Sequence, residues 1–252
     1  MDVHYLPSNR HIKSAKEYIL DFLIIFLAVI LGFIANDTRQ TYVEKTKATE
    51  YARLLKDDMK SDLTAIQLVY NDKEWIETKY DSVEVILATK DIREYNEFIY
   101  YVERYLDKNP QFTAQDITYQ QSRSIGNNPV IKNQKLNKDI ASYYQHYSQY
   151  RAIESSYETS GKNDLSEIES KLFNPRDLAS LDNNRVTGFQ SVVLRPSTEL
   201  KPIRRDIDFL KFFYIKVDNA KKQANTTKLL LKELKLEGTN IMNGLQKEFN
   251  LD

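Results

Sequence analysis

The longest apolar segment of the chain runs from Phe22 to Ala35. None of its fourteen residues is charged or strongly polar, and eleven of them are Leu, Ile, Val or Phe. Apolar side chains therefore cover every side of a helix here. Counted from Tyr18 to Ala35, that helix is roughly 27 Å long, enough to cross the hydrocarbon layer of a membrane. The alternatives are a buried helix of a soluble protein and the core of a cleaved export signal.

Insertion energies favour a membrane span. The apolar side chains contribute about −5 kcal/mol together, whereas Asp21 costs about 3 kcal/mol at most. A cleavable signal needs small residues at the last and third-last positions before the cut, and a cut after Ala35 places Phe33 in the third-last position. We therefore predict an uncleaved transmembrane helix at residues 18–36.

The orientation of this span is not decided by charge. Basic residues flank it in similar numbers, three on the N-terminal side and four in the stretch that follows, so the positive-inside rule is neutral. Large domains translocate largely regardless of their charges. We therefore expect a short cytoplasmic tail at 1–17 and a periplasmic body at 37–252, with the span in a bacterial inner membrane.

Beyond the span, apolar positions recur every three or four residues, as on one face of a helix. The stripe consists of Tyr51, Leu55, Met59, Leu63, Ile66 and Val69. Neither Gly nor Pro occurs between Ile34 and Asn109, which predicts that the helix continues out of the membrane. Residues 71–72 and 90–91 are candidate turns into a second helix and then into a third one, at 92–106.

The remainder of the chain is also predicted to be helical. Gly126 is a candidate left-handed cap, Asn133 a candidate N-cap, and from Asn163 onward we expect only short helical pieces. A last helix, with Pro202 in its first turn, keeps a period near 3.5 over more than thirty residues. We expect it to lie antiparallel to the helix that follows the span, or to pair with its symmetry mate in a dimer. The predicted fold is all-α, with one N-terminal transmembrane helix continuing into a long-helix extracytoplasmic bundle.

Composition narrows the possible functions. The 36 basic residues balance the 36 acidic ones, which argues against nucleic acid as a partner. The chain has no cysteine, so thiolate catalysis and cysteine metal sites are excluded. Its three histidines are dispersed, at His4, His11 and His146, and the common hydrolase, metalloprotease and phosphate-loop motifs do not occur. We predict no enzyme activity, no catalytic or metal-binding residues and no cofactor.

A cluster of acids follows the span. Asp57, Asp58 and Asp62 alternate with Lys56 and Lys60. Mixed charges at this spacing are typical of a solvated helix face, and a weak divalent-cation site is the alternative.

Several residues along the chain resemble those of an uncharacterised family of Gram-negative envelope proteins, which have one N-terminal transmembrane helix and a helical extracytoplasmic domain of unknown function. The resemblance covers about residues 13 to 160 and rests on Asp21, Gly32, Asn36, Ser124, Gly126, Ile131, Lys132, Asn133, Leu136, Tyr143 and Tyr144. The family often has Glu at the position of Asp21. It also has a Trp just after the span, where this chain has Asp37, Thr38 and Arg39. The resemblance implies a single-span helical protein and no particular activity.

Two sets of residues are candidates for function. Asp21 is a candidate intramembrane carboxylate, because an acid at the start of a lone span is similar to the small subunit of proton-driven stator complexes. The favoured explanation is a carboxylate at the membrane surface that is hydrated or paired with Lys13 or Lys16, one or two turns earlier. The second set is a tyrosine seam with helical spacing, which is typical of a core or interface stripe and less so of a ligand-stacking face. Its members are Tyr143, Tyr147, Tyr150 and Tyr157.

The function that these patterns favour is that of a non-enzymatic, membrane-anchored periplasmic scaffold or interaction subunit. The expected partners are the lipid bilayer and either a second copy of the chain or another membrane protein. A ligand-sensing bundle that signals through a partner and a proton-coupled, stator-like subunit that uses Asp21 are the alternatives. The process, the partner, any ligand and the oligomeric state do not follow from the sequence.

Overall fold

The protein is described by a computed structural model, in which residues 14–89, 109–124, 130–172, 174 and 206–251 are placed. These residues form four α-helices: α1 (Ala15–Thr89), α2 (Ile117–Ser124), α3 (Gln134–Leu172) and α4 (Ile207–Phe249). Within the described ranges there is no strand, so the predicted all-α class is confirmed. The chain divides into two compact units, Met1–Glu50 and Tyr51–Asp252.

The first unit contains the start of α1. Ser14 and Glu17 form a reciprocal capping box there: the Ser14 backbone N–H donates to Glu17 Oε2 at 2.7 Å, and the Glu17 N–H donates to Ser14 Oγ at 3.4 Å. These bonds satisfy two of the N–H groups that the first turn of any helix leaves without a partner. Farther along, the Thr38 hydroxyl donates to the carbonyl of Ile34 at 2.8 Å, so a polar side chain is accommodated without interrupting the helix.

In the described part of the second unit, three long helices form a bundle: α3, α4 and the Tyr51–Thr89 part of α1. Partners on α1 and α3 advance together along the two sequences, from Asp62 with Tyr143 to Lys73 with Glu154, so these helices are parallel. Partners on α1 and α4 advance in opposite directions, namely Gln67 with Lys235, Glu77 with Lys228 and Glu84 with Lys221. The predicted antiparallel arrangement of the last helix is therefore confirmed.

The interior of the bundle is built from the periodic apolar positions, because each helix has only one apolar face to bury. All three long helices and the segment that precedes α2 contribute to one cluster. Its most deeply buried members include Leu55, Met59, Ile66, Phe112, Ile140, Tyr143, Tyr150, Leu231, Ile241 and Leu245. Gly238 of α4 allows close packing there, because a Cβ at this position would lie 3.3 Å from Leu63 Cδ2.

Residues 109–116, which we call the strap, precede α2 and contain no helix or strand. Side chains from both α1 and α3 hold the strap, and Phe112 and Ala114 are buried in the core. Since a segment without regular structure cannot satisfy its own backbone groups, it needs such partners when it is buried.

The positions at which α1 and α3 end differ from the sequence predictions. The predicted turn at residues 71–72 is wrong, because α1 continues to Thr89 and Gln67 Nε2 donates to Asn71 Oδ1 one turn away. The expectation of only short helical pieces from Asn163 onward is also wrong as far as Leu172, since residues 163–172 are the end of the long helix α3. Both stretches lack proline, so nothing in the backbone forces an end. The predictions for residues 90–91 and 92–106, for Gly126 and for Pro202 lie outside the described residues.

The cap of α3 is confirmed. Asn133 Oδ1 accepts the backbone N–H groups of Lys135 at 3.1 Å and Leu136 at 3.2 Å. A second N-cap escaped sequence analysis: Asp206 Oδ1 accepts the Phe209 N–H at 3.0 Å and begins α4. At the other end of α4, Asn250 adopts a left-handed conformation with φ of 49°, a typical helix terminus.

Candidate functional site

The predicted span lies within α1, in the first unit. The helix is long and apolar enough to cross a membrane by length and composition, and none of its most apolar eighteen-residue window is buried. Large apolar side chains are exposed around the whole circumference of the helix, for example Phe22, Ile25 and Phe33. Asp21 lies on the same helix and is half-buried. This segment is therefore an apolar surface that carries one acid near its beginning.

The tyrosine seam lies inside the second unit. Tyr143 and Tyr150 are fully buried, whereas Tyr147 and Tyr157 are half-buried. Rings of the seam contact the strap through Phe112, whose centroid is 5.5 Å from that of Tyr147 in an edge-on arrangement. The seam is thus a packing surface between α3 and the strap. Its use as an interface with another protein stays a prediction.

A buried carboxylate lies at the centre of this packing surface. Asp62 of α1 is 1% exposed. Its Oδ1 accepts the backbone N–H of Gln115 at 2.8 Å, and its Oδ2 accepts the hydroxyl of Tyr143 at 2.8 Å. Burial, only partly offset by these two bonds, raises the pKa of Asp62 to about 6. Burial, with the Asp62 charge, raises the pKa of Tyr143 well above its ordinary value, so this hydroxyl stays protonated and donates.

A second buried carboxylate, Glu154 of α3, is paired with Lys73 of α1. Glu154 is eleven residues after Tyr143, and Lys73 is eleven residues after Asp62. Lys73 Nζ is 2.8 Å from Glu154 Oε1, and the two side chains are 3% and 0% exposed. Asn109 of the strap completes the group: its Oδ1 accepts from Lys73 Nζ at 2.8 Å and its Nδ2 donates to Glu154 Oε2 at 2.5 Å. Burial lowers the pKa of Lys73, and the Glu154 carboxylate opposes that effect.

Further side chains of α3 bind the strap between these two carboxylates. The Phe112 backbone N–H donates to the hydroxyl oxygen of Tyr150 at 3.0 Å, and the Tyr144 hydroxyl donates to the carbonyl of Gln115 at 2.9 Å. Gln111 accepts from Arg151 at 2.5 Å and donates to Glu158 at 3.1 Å. At several points along the strap, hydrogen bonds to side chains of α3 therefore replace the hydrogen bonds that the strap would otherwise make with water.

A small crevice opens beside the Lys73 ion pair, where Tyr157 and Gly161 of α3 and Thr227 of α4 form part of its wall. Its volume is about 50 Å³, which is enough for a few water molecules. Its size suits local hydration better than a ligand of ordinary size, which occupies several hundred Å³.

Sequence reasoning missed both buried polar groups. The assignment of Asp62 to a solvated face is wrong, although Asp57 is exposed as expected. The missed signal was spacing: Asp62 is three residues after Met59 and four before Ile66, which places it within the apolar stripe. Within the described residues, no three His, Asp or Glu side chains lie close enough together to hold a metal ion.

Comparisons with protein-family models, with curated proteins and with solved structures found no significant match. The class that the fold itself defines is an all-helical protein with one candidate membrane helix near its N-terminus and a three-helix bundle stabilised by buried polar groups. The resemblance to Gram-negative envelope proteins stays a prediction.

Proposed function

We propose that the protein is a single-span membrane protein whose helical bundle acts on the periplasmic side of a bacterial inner membrane as a non-enzymatic scaffold or interaction subunit. The observation that carries the proposal is the exposed apolar surface of residues 18–35. A stretch of this kind is stable where lipid covers it, because each buried CH₂ group gains about 0.8 kcal/mol.

The polar interior of the bundle supports a structural role. Asp62 and the Lys73–Glu154 pair are each bonded to a neighbouring helix and to the strap. These groups lie between packed helices, the crevice beside Lys73 has a volume of only about 50 Å³, and their hydrogen bonds already hold the helices and the strap together. Buried polar groups of this kind favour one register of packing over others.

The proposed location is tested by a reporter that is active only in the periplasm, fused after Asp252. We expect activity from this fusion and none from the matched fusion of a reporter that works only in the cytoplasm. The opposite pair of results would invert the proposed orientation.

The proposed scaffold role is separated from proton coupling by Asp21→Asn. Asparagine keeps the size of the side chain but cannot take up and release a proton. We expect the variant to restore the phenotype of a deletion strain and to co-purify with the same partner, in mild detergent, as the unchanged chain. A variant that assembles normally but does not restore the phenotype would favour the stator-like function instead.

The structure also decides which seam variants are informative. Changing Tyr147 and Tyr150 together to Ala is expected to abolish function, but Tyr150 is fully buried and bonded to the strap. Loss of function in that double variant would therefore report damage to the bundle. Tyr147→Ala alone is the better probe of partner binding, because this ring is only half-buried.

A further inference from the structure

One carboxylate connects three elements of the bundle. Asp62 belongs to α1, its Oδ1 accepts the N–H of Gln115 in the strap, and its Oδ2 accepts the hydroxyl of Tyr143 in α3. The carboxylate is almost fully shielded from solvent while the strap is in place. Since Gln115 donates to it directly, docking of the strap takes part in removing water from this acid.

The surroundings of Asp62 disfavour its negative charge. Asp58 from α1 and Asp116 from the strap act on it with like charge, and the titratable groups that face it from α3 are Tyr143 and Tyr144. On α4 the residue at this level is Gly238, which lies against Tyr143 and Leu63 and brings no charge. In the described part of the chain, the groups with the largest effect on the pKa of Asp62 do not include a cation.

Glu154 differs from Asp62 in that a cation compensates its negative charge. Its carboxylate also lies between α1 and α3 and also binds the strap, but Lys73 compensates its charge at 2.8 Å. Among the described residues, the hydrogen-bond donors to Asp62 are neutral: the backbone N–H of Gln115 and the hydroxyl of Tyr143. A buried carboxylate without a cation is stabilised by taking up a proton, whereas one paired with a cation is not.

We propose that Asp62 is a proton-dependent latch for the strap: when this side chain takes up a proton, residues 109–116 dock more tightly onto α1 and α3. With the strap lifted, Asp62 contacts water and has the acidity of an ordinary aspartate. With the strap docked, the neutral acid keeps both partners: Oδ1 still accepts from Gln115, whereas the bond to Tyr143 reverses its direction, so that the protonated Oδ2 donates to the Tyr143 oxygen. Protonation therefore removes a buried charge and breaks neither contact.

The direction of the pH effect follows from the pKa of Asp62, which is about 6 in the docked state. An ordinary aspartate has a pKa of about 3.9. The docked state thus binds the proton more tightly, and docking strengthens as the pH falls through 6. Between pH 7 and pH 5 the docking equilibrium should shift by about tenfold toward the docked strap.

Hydrogen–deuterium exchange of the full chain in mild detergent tests the latch. The quantity to compare is the protection factor of peptides that cover residues 109–116, at pH 7 and at pH 5, after correction for the intrinsic pH dependence of exchange. We expect protection of the strap to rise about tenfold at the lower pH. Peptides from the middle of α4 should change much less. An unchanged or reduced protection of the strap at pH 5, or an equal rise throughout the bundle, would overturn the proposal.

Two variants assign the effect to Asp62. In Asp62→Asn the pH dependence of strap protection should disappear, whereas Asp57→Asn, at an exposed position of the same helix, should keep it. Tyr143→Phe retains the acid but removes a hydrogen bond that lowers its pKa, so the midpoint of the tightening should move to higher pH. A full tenfold response in Asp62→Asn, or a midpoint that stays in place or moves to lower pH in Tyr143→Phe, would contradict the latch.

Discussion

The apolar side chains of α1 are exposed in one stretch of the helix and buried in another. Across residues 18–35 the large apolar side chains are exposed, whereas across residues 51–89 the apolar positions Leu55, Met59 and Ile66 are buried. The backbone is helical in both. The difference lies in the period of the sequence: an apolar stripe leaves a polar face for water and buries itself against neighbouring helices, but a helix that is apolar all round needs an apolar environment from outside.

The surroundings of the acidic side chains also differ between the two stretches. Asp21 belongs to the exposed apolar stretch, and Asp62 belongs to the stretch that builds a core. In the first stretch an acid opposes insertion into lipid, by an amount that depends on its depth. In the second, its effect depends on which partners the other helices supply. The position of an acid within its pattern therefore says more about its role than its residue type does.

The largest expected effect is in the bundle stretch of α1. Lys73→Met removes the cation from a buried pair and leaves Glu154 without compensation, which should lower the free energy of unfolding by about 3–5 kcal/mol. Lys60→Met, at an exposed position of the same helix, should change it by less than about 0.5 kcal/mol. Urea denaturation of the full chain in detergent measures both. Combining Lys73→Met with Glu154→Gln should restore most of the loss, and equal effects of the two single lysine variants would contradict the buried pair.

The next largest effect is on membrane association, and it is measured by making the same change, Leu to Arg, in each of the two stretches. Leu27 and Leu54 are 54% and 49% exposed on α1. Leu27→Arg places a charge near the middle of the proposed span and should cost about 3 kcal/mol of insertion energy, which exceeds the net preference of about 2 kcal/mol for the membrane that remains after the cost of Asp21. Leu54→Arg should leave membrane association unchanged. Carbonate extraction of membranes followed by quantification of the pellet is the measurement, and equal retention of both variants would count against the comparison.

A smaller effect concerns the backbone of the strap. Tyr150→Phe removes the oxygen that accepts the N–H of Phe112, and the cost of leaving that buried donor without a partner is about 1–3 kcal/mol. Tyr147→Phe, on the half-buried neighbour in the seam, should cost less than about 0.5 kcal/mol. Thermal or urea unfolding measures the difference. If both variants were equally stable, the Tyr150 hydroxyl would not be holding the strap.

The smallest effect is the pH dependence that Asp62 contributes to global stability. Its pKa is raised in the folded bundle, so the folded state binds the proton more tightly than the unfolded chain and stability increases as the pH falls from 7 to 5. This gain should be about 1 kcal/mol. Other carboxylates titrate as well, so the quantity to measure is the difference between the unchanged chain and Asp62→Asn. A difference that is constant over this pH range would show that Asp62 does not bind a proton there.

Much of the architecture could be predicted from the sequence. The unbroken apolar segment predicted the candidate span, and the periodic apolar positions predicted the helical class and the antiparallel direction of α4. The asparagine at position 133 predicted a helix cap. These features depend on local pattern and local chemistry. The continuation of α1 past residues 71–72 could not be predicted in the same way, because polar residues at a helix surface neither require nor prevent a turn.

The candidate site was harder to predict, because it depends on pairs that are distant in sequence. Tyr143 meets Asp62 across 81 residues, and Asn109 meets Glu154 across 45. Spacing was a local signal for both groups, because Asp62 lies within the apolar stripe and Lys73 continues it, four residues after Val69 and three before Ile76. The alternating charges around Asp62 led to the opposite interpretation, and nothing near Lys73 in the sequence identifies Glu154 as its partner.

The central claim is that lipid covers the first stretch of α1, and cysteine accessibility tests it most directly. The chain contains no cysteine, so each introduced thiol is a unique label site. Ile25 and Leu236 are nearly equally exposed, at 65% and 63%. In native membranes opened to give access from both sides, we predict that Leu236→Cys reacts quickly with a water-soluble maleimide and that Ile25→Cys reacts only after denaturation in detergent. Equally fast labelling of both thiols in intact membranes would contradict the claim.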